Sequence, residues 1–292
     1  MSIFSGLQNI VKPDCSLREH TWYRLGGRAD YLIVPENLEQ LQAVVRRCNE
    51  NNIPMRVLGS GSNVLVSDEG IKAAVIKLGG EDFARVSYQK DKLQVWAGAN
   101  LNKLAMDCVR KGLSGLEAVT GIPGSVGGAV RMNAGGQFGD IGSAVESVTL
   151  MDKLGNIFEK SKPELDFDYR QVNITAKFIL NAEIKLTKED PDQILRAVKE
   201  IWIFKKNTQP LNARCAGCIF KNPPGQAAGA LIDRAGLKGL SVGGAVVSEK
   251  HANFIIANDG CTSGDVIRLI DVIRRRVQDQ LGVQLELEIE IW

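Results

Sequence analysis

The chain has 292 residues, 44% of them hydrophobic and 24% charged, and its 36 basic residues nearly balance its 34 acidic ones for a formal charge of +2. That balance leaves no electrostatic footprint for nucleic acid or an anionic membrane, and the composition excludes disordered, collagen-like and disulfide-scaffold chains. The length suggests two domains or three small ones, at ~100–200 residues each, with a core large enough to need no staples.

The N-terminal run MSIFSGLQNIVKPD has no basic start and no long apolar core, so it does not read as a signal peptide. No stretch reaches the ~18 apolar residues of a spanning helix. The expectation is a cytoplasmic chain whose six cysteines (15, 48, 108, 215, 218 and 261) are free thiols. Elements then alternate along the chain. Residues 31–34 (YLIV) read as a short strand. Residues 37–49 place Leu38, Leu41, Val44, Val45 and Cys48 on one helical face, with Pro54 beyond its end. Residues 55–59, 73–78 and 93–98 read as buried strands. A helix from about 100 to 111 turns Leu101, Leu104, Ala105, Cys108 and Val109 inward, with Gly112 as its stop. Strands follow at 145–152 and 176–187. Asp190-Pro191 opens a helix carrying Ile194, Leu195, Val198, Ile201 and Trp202 on one side. The last helix, 264–281, buries Val266, Ile267, Ile270, Ile273 and Val277, and residues 283–291 alternate strictly as a final strand. One boundary falls near 188–192 and a softer one near 70–80.

Glycine is abundant, 30 residues, and clustered. Three Gly-rich segments stand out: 57–66 (VLGSGSNVLV), 121–129 (GIPGSVGGA) and 242–245 (VGGA). Successive backbone N–H groups in such loops form an anion-binding concavity, because no Cβ blocks close approach. Simple turns are the alternative reading. Neither a P-loop nor a dinucleotide fingerprint is present: no Gly-Lys-Ser/Thr follows at the required spacing, and Val64 stands where a third glycine is needed after Gly59 and Gly61. With only two histidines, His20 and His251, a His-rich metal site is not expected. Cys215 and Cys218 spell C-x-x-C, but no second pair and no neighbouring histidine supports zinc.

Segments 57–68 (VLGSGSNVLVSD) and 120–136 (TGIPGSVGGAVRMNAGG) resemble the FAD-binding domain of the vanillyl-alcohol-oxidase-like flavoproteins. Together with Tyr169-Arg170, 216–223 (AGCIFKNP), 248–255 (SEKHANFI) and a C-terminal LELEI, they resemble the UDP-N-acetylenolpyruvoylglucosamine reductase (MurB) family, over nearly the whole chain from 21–27 (TWYRLGG) onward. The short run after Tyr169-Arg170 is similar to the family's shorter, second type. The resemblance implies an α+β fold: an FAD-binding domain of two α/β subdomains (1–75 and 76–190) and a C-terminal α+β substrate domain (191–292), its last strand returning toward the first subdomain. Another flavin-dependent oxidase of the same FAD-binding class is the alternative, but the C-terminal motifs have no reason to recur there.

The implied reaction is NADPH-dependent reduction of UDP-N-acetylglucosamine enolpyruvate to UDP-N-acetylmuramate, for peptidoglycan. FAD, held non-covalently, carries hydride to the terminal vinyl carbon, charge develops on the pyruvyl carboxylate, and a protein acid protonates the adjacent carbon. Carried onto this sequence, the family pattern makes Arg170 the carboxylate stabiliser, Cys218 the proton donor where the family usually has serine, and Glu288 the catalytic glutamate. Glu286, Glu288 and Glu290 share a face at period two, and Glu290 stands where a basic residue is usual. Facing FAD would be Tyr23, Arg24, Gly59, Ser60, Gly61, Ser62, Asn63, Gly121, Ser125, Gly127 and Gly128. Contacting substrate would be Tyr169, Lys205, Gln209, Lys221, Asn222, His251 and Asn253. An exposed helix end remains open for Lys205 and Gln209, and a packed core histidine for His251. The resemblance implies a monomer, with no metal, nucleic-acid or membrane partner.

Overall fold

A computed structural model describes residues 3–89 and 91–292. In chain order its main elements are β1 (Val11–Ser16), β2 (Arg28–Ile33), α1 (Leu38–Glu50), β3 (Met55–Leu58), β4 (Val64–Leu65), β5 (Ile71–Lys77), β6 (Val86–Gln89), β7 (Lys92–Trp96), α2 (Leu101–Arg110), α3 (Val126–Arg131), α4 (Pro191–Thr208), α5 (Ala228–Arg234) and α6 (Ser263–Leu281). The helices begin where side chains can take up orphan amides. Asn37 Oδ1 accepts from Gln40 N–H at 3.0 Å at the head of α1, and Asn100 Oδ1 from Lys103 N–H at 2.9 Å at the head of α2. Thr262 and Asp265 form a reciprocal capping box on α6, which ends on left-handed Gly282. The apolar spacing of α1 buries Leu41, Val44, Val45 and Cys48; each such aliphatic is worth ~1.5–3 kcal/mol relative to exposure.

The chain divides into two compact units, and not at the expected 75/76 and 190/191. The first takes residues up to Asp14, Asp30–Ser60 and Lys72–Ile203; the second takes Cys15–Ala29, Gly61–Ile71 and Phe204–Trp292. The reason is packing remote in sequence. Tyr23, Leu25 and Leu65 are buried in one cluster with Phe220, Ile255 and Ile270, so two short N-terminal segments belong with the C-terminal residues.

In the first unit a five-stranded antiparallel sheet runs in the order Ile157–Ser161, Val145–Met151, Phe178–Lys185, β7, β6. Its central strand is buried from Phe178 through Ala182, while the edge strand Ile157–Ser161 is exposed. A four-stranded sheet has the order β1-β2-β5-β3, with β3 and β5 parallel and Met55 opposite Ala74. Ala73 to Ile76 are all buried, the continuous pattern of a strand covered on both faces.

In the second unit α6 buries Val266, Leu269, Ile270, Ile273 and Val277 in the same cluster as the antiparallel strands Ala245–Val247 and Ile255–Ala257. The expected final strand over 283–291 is not continuous. Only Glu290–Ile291 is strand, parallel to β4 with Glu290 opposite Val64, while Leu287 bridges Phe220. The segment changes partner along its length, and one alternating pattern served both pairings.

Candidate active site

In the first unit the loop after β3 meets the loop before α3. A Cβ at Gly59 would lie 2.7 Å from Ser125 Oγ, so the two loops abut. Ser125 is buried and caps α3, its Oγ accepting from Gly128 N–H at 3.4 Å. Not every glycine serves a ligand. Gly127 N–H donates to Ala97 O at 2.8 Å, and a Cβ there would come within 2.7 Å of Ala97 Cβ. Gly121, left-handed at φ +73°, gives its N–H to Asn102 Oδ1 at 2.8 Å. The expectation that these amides form an open nest is therefore corrected: Gly121, Gly127 and Gly128 spend their N–H groups inside the protein. What stays open is a backbone surface with few side chains, in which Gly128 is exposed and Gly59 and Ser60 are half-buried. Such a surface fits the close approach that a dinucleotide's diphosphate requires.

Tyr169 and Arg170 form the two-residue tip of a small hairpin, with Phe167 opposite Val172 and Asp168 opposite Gln171. Arg170 has φ +57°, a left-handed backbone that a non-glycine residue adopts only when its surroundings hold it there. Its guanidinium donates to Gly135 O at 2.9 Å and lies 5.0 Å from the Tyr169 ring. Asp168 braces the tip by accepting from Tyr169 N–H at 2.7 Å and Gln171 Nε2 at 2.9 Å.

In the second unit the residues expected to face FAD take different parts. Tyr23 is 0% exposed, and its hydroxyl donates to Ile255 O at 3.1 Å; burial pushes its pKa far up. It is a core residue, which corrects the flavin expectation, whereas the next residue, Arg24, is exposed with φ +53°. Gly61 is left-handed and a Cβ would run into His20 O. Ser62 is half-buried. Asn63 ties down the chain end: its Nδ2 donates to Glu288 O at 3.1 Å and its carbonyl accepts from Glu290 N–H at 3.0 Å.

The chemistry-bearing residues of this unit are drawn together by that chain end. Glu288 N–H donates to Ile219 O at 2.8 Å, and Lys221 N–H to Glu286 O at 2.9 Å. Ile219, the residue after Cys218, thereby lies opposite Glu288, and the side chains of Cys218 and Glu288 are both half-buried. Glu286 and Glu290 are exposed, so Glu288 alone of the three has a sheltered setting. Lys221 and Glu286 form a loose ion pair at 4.0 Å, an exposed contact of little energy. Asn222 Oδ1 accepts from Ala228 N–H at 2.9 Å at the head of α5. Lys205 is 7% exposed, which removes the exposed-helix-end alternative for it, and its carbonyl accepts from half-buried Gln209 at 2.9 Å. His251 is packed against Phe254 at 4.8 Å, and its Nδ1 accepts from Asn253 N–H at 3.2 Å. Burial lowers its pKa, with Lys238 adding to the effect, which favours the neutral ring that this bond requires. Asn253 is 2% exposed with both ends of its amide spent on Phe220, so the expected substrate contact is corrected to a structural one.

Residues 209–292 match the family model of the UDP-N-acetylenolpyruvoylglucosamine reductase C-terminal domain, and residues 29–161 match that of an FAD binding domain. The chain is 40% identical over 99% of its length to a UDP-N-acetylenolpyruvoylglucosamine reductase of Lachnoclostridium phytofermentans, covering 96% of that protein. The chain belongs to the UDP-N-acetylenolpyruvoylglucosamine reductase family. A second relative of that name, from Anoxybacillus flavithermus, is 39% identical over 96% of this chain and 94% of its own. The crystal structure of the Thermus caldophilus reductase superposes with a TM-score of 0.82 at 41% identity, covering 95% of this chain and 97% of that one. A grass pollen allergen with glucose dehydrogenase activity matches 97% of this chain and 63% of its own at TM-score 0.53 and 14% identity, which shows shared fold alone.

Within the reductase family frame, two positions that sequence reading missed become visible. Asn133, 3% exposed with φ +42°, donates Nδ2 to Asp168 O at 3.0 Å and accepts from Gly142 N–H at 3.0 Å, so it fastens the hairpin bearing Arg170. An asparagine two residues ahead of a glycine pair was its only signal. Asp68 accepts from Ser263 N–H and Gly264 N–H, both at 3.0 Å, and so occupies the head of α6 from nearly two hundred residues away. No local pattern announces such a partner. Among the described residues no helix is long and apolar enough to cross a membrane.

Proposed function

We propose that this chain reduces UDP-N-acetylenolpyruvoylglucosamine to the corresponding lactyl ether for peptidoglycan synthesis, with NADPH as reductant and FAD as carrier. The reading includes a monomeric enzyme in the cytoplasm. The observation that supports it is the bond from Glu288 N–H to Ile219 O at 2.8 Å, which brings the backbone of Glu288 against the residue that follows Cys218, in the segment matching the reductase model.

The side-chain-poor surface at Gly59, Ser60 and Gly128 is the part that would hold the FAD diphosphate. Bound FAD would supply hydride taken from NADPH. The protein's own groups handle charge and protons. Arg170 is assigned to the substrate carboxylate: its planar fork matches two oxygens, and its bond to Gly135 O together with the left-handed backbone pre-sets its direction. As charge builds on that carboxylate, a fixed cation lowers the barrier without reorganising. Cys218 is assigned the proton. An ordinary thiol, pKa ~8.5, is protonated near neutrality and far more acidic than a serine hydroxyl, so its S–H bond can break as the new C–H bond forms. Glu288 is assigned to hold the substrate end beside that thiol.

The test is anaerobic. The FAD-loaded protein is bleached with NADPH, and UDP-N-acetylglucosamine enolpyruvate is then added. Return of the oxidised-flavin band on substrate is expected, and Cys218→Ala should bleach normally but fail to recover. A band that returns only on admitting air would overturn the reductase reading; normal turnover by Cys218→Ala would overturn the proton-donor assignment alone.

A further inference from the structure

Residues 219–221, which follow Cys218, have a partner on each side. On one side the chain end pairs with them through Glu288 N–H to Ile219 O at 2.8 Å and Lys221 N–H to Glu286 O at 2.9 Å. That register is a wide pair at Phe220 and Leu287, so the N–H and C=O of Phe220 point away from the chain end. Both are met by one side chain. Phe220 N–H donates to Asn253 Oδ1 at 3.0 Å, and Asn253 Nδ2 donates to Phe220 O at 2.8 Å. The carbamoyl group thus does the work of a peptide unit in a third strand. The main-chain carbonyl of Asn253 adds a third bond, accepting from Ile219 N–H at 2.8 Å.

Asn253 is itself over-determined. Its N–H is taken by His251 Nδ1 at 3.2 Å, and the turn carrying it is closed by Ser248 N–H to Phe254 O at 2.9 Å. Buried Ser248 accepts from Lys250 N–H at 3.2 Å and His251 N–H at 3.3 Å. A buried amide of this kind, satisfied at both ends, specifies one geometry, whereas truncation leaves a buried donor and acceptor unmatched.

We infer that Asn253 is the positioning residue for Cys218: its amide clamps Phe220 against the chain end and so fixes where the thiol stands relative to Glu288. The inference rests on the assignment of Cys218 as proton donor. Asn253 touches no reacting atom in this scheme; it acts through the two residues that follow the cysteine.

The experiment separates the two half-reactions by anaerobic stopped flow on FAD-loaded Asn253→Ala and Asn253→Asp. The aspartate keeps the acceptor for Phe220 N–H and loses the donor to Phe220 O. Bleaching by NADPH needs no protein proton and should stay within about twofold of the parent, whereas recovery on substrate should slow by ~10–100-fold, since a displaced general acid loses much of its contribution. The solvent deuterium isotope effect on recovery should rise as proton transfer becomes limiting. In a Cys218→Ala background the Asn253 substitutions should add nothing further. Equal slowing of both half-reactions, an unchanged isotope effect, or two variants that no longer bind FAD would overturn the inference and leave Asn253 a general support of its unit. If the parent fails to recover on substrate, the reductase reading fails instead; if Cys218→Ala recovers like the parent, the donor assignment fails.

Discussion

Replacing Gly127 by alanine places a Cβ 2.7 Å from Ala97 Cβ and 3.3 Å from Ala97 Cα and O. Carbon atoms at rest stand ~3.5–4.0 Å apart, so roughly 1 Å must be found. It is not freely available: Gly127 N–H is bonded to Ala97 O at 2.8 Å, Val126 N–H to Ala99 O at 3.0 Å and Leu101 N–H to Gly124 O at 3.1 Å, and all three would stretch together. Overpacking of this kind costs ~1–3 kcal/mol. Gly128, the next residue, offers the internal control. Its would-be Cβ meets only Ser125 Oγ, at 3.4 Å, and its backbone is helical and exposed. Alanine there should stabilise the cofactor-free protein by ~0.5–1 kcal/mol through lost chain entropy. Neighbouring glycines should therefore shift stability in opposite directions. At ~2–4 °C per kcal/mol, thermal unfolding of the cofactor-free protein should show Gly127→Ala lower by ~2–12 °C and Gly128→Ala higher by ~1–4 °C. FAD titration separates the causes: Gly128→Ala should lose flavin affinity despite its higher Tm, because its methyl group stands on the surface assigned to the diphosphate. Two substitutions of the same sign, or a Gly128→Ala protein that binds FAD as tightly as the parent, would refute the division of these glycines between packing and cofactor approach.

Asp68→Ala removes the acceptor for two amides at the head of α6, Ser263 N–H and Gly264 N–H. A loss of ~0.5–2 kcal/mol is expected in urea unfolding, with Asp68→Asn recovering part of it. Stability should also respond to His251. Burial holds its pKa below the ordinary value of 6.5, so the unfolded chain binds the proton more readily than the folded one. The contribution is full above about pH 6.5 and is lost as pH falls through and below that value. The effect is read as a urea midpoint that falls between about pH 7.5 and 5.5 in the parent and falls less in His251→Phe.

Local pattern was sufficient for most of the elements and for the motifs. Apolar residues at helical spacing and a glycine stop placed α1, α2 and α6 to within a residue or two, because each such signal acts over one or two turns. The glycine loops were legible for the same reason. Their division of labour was not: whether a missing Cβ serves a ligand or Ala97 depends on what stands opposite, and Ala97 lies a strand and a helix away. Tyr23 and Asn253 lie in motifs that the family resemblance assigns to ligands. Their hydroxyl and amide are instead spent on Ile255 and Phe220, partners that no spacing rule could nominate.

The terminal segment draws the line between the two kinds of information. Its alternation of apolar residues and glutamates is a property of the sequence, and so is the chemistry of one thiol, one guanidinium and one carboxyl. That residues 286–288 pair with 219–221 while 290–292 pair with 63–67 is a property of the fold alone. Period two states which side chains alternate, but a strand's N–H and C=O groups are chemically the same at every residue. Only long-range packing selects their partners, and that selection sets Glu288 opposite Ile219, the residue after Cys218, and leaves Glu286 and Glu290 in solvent.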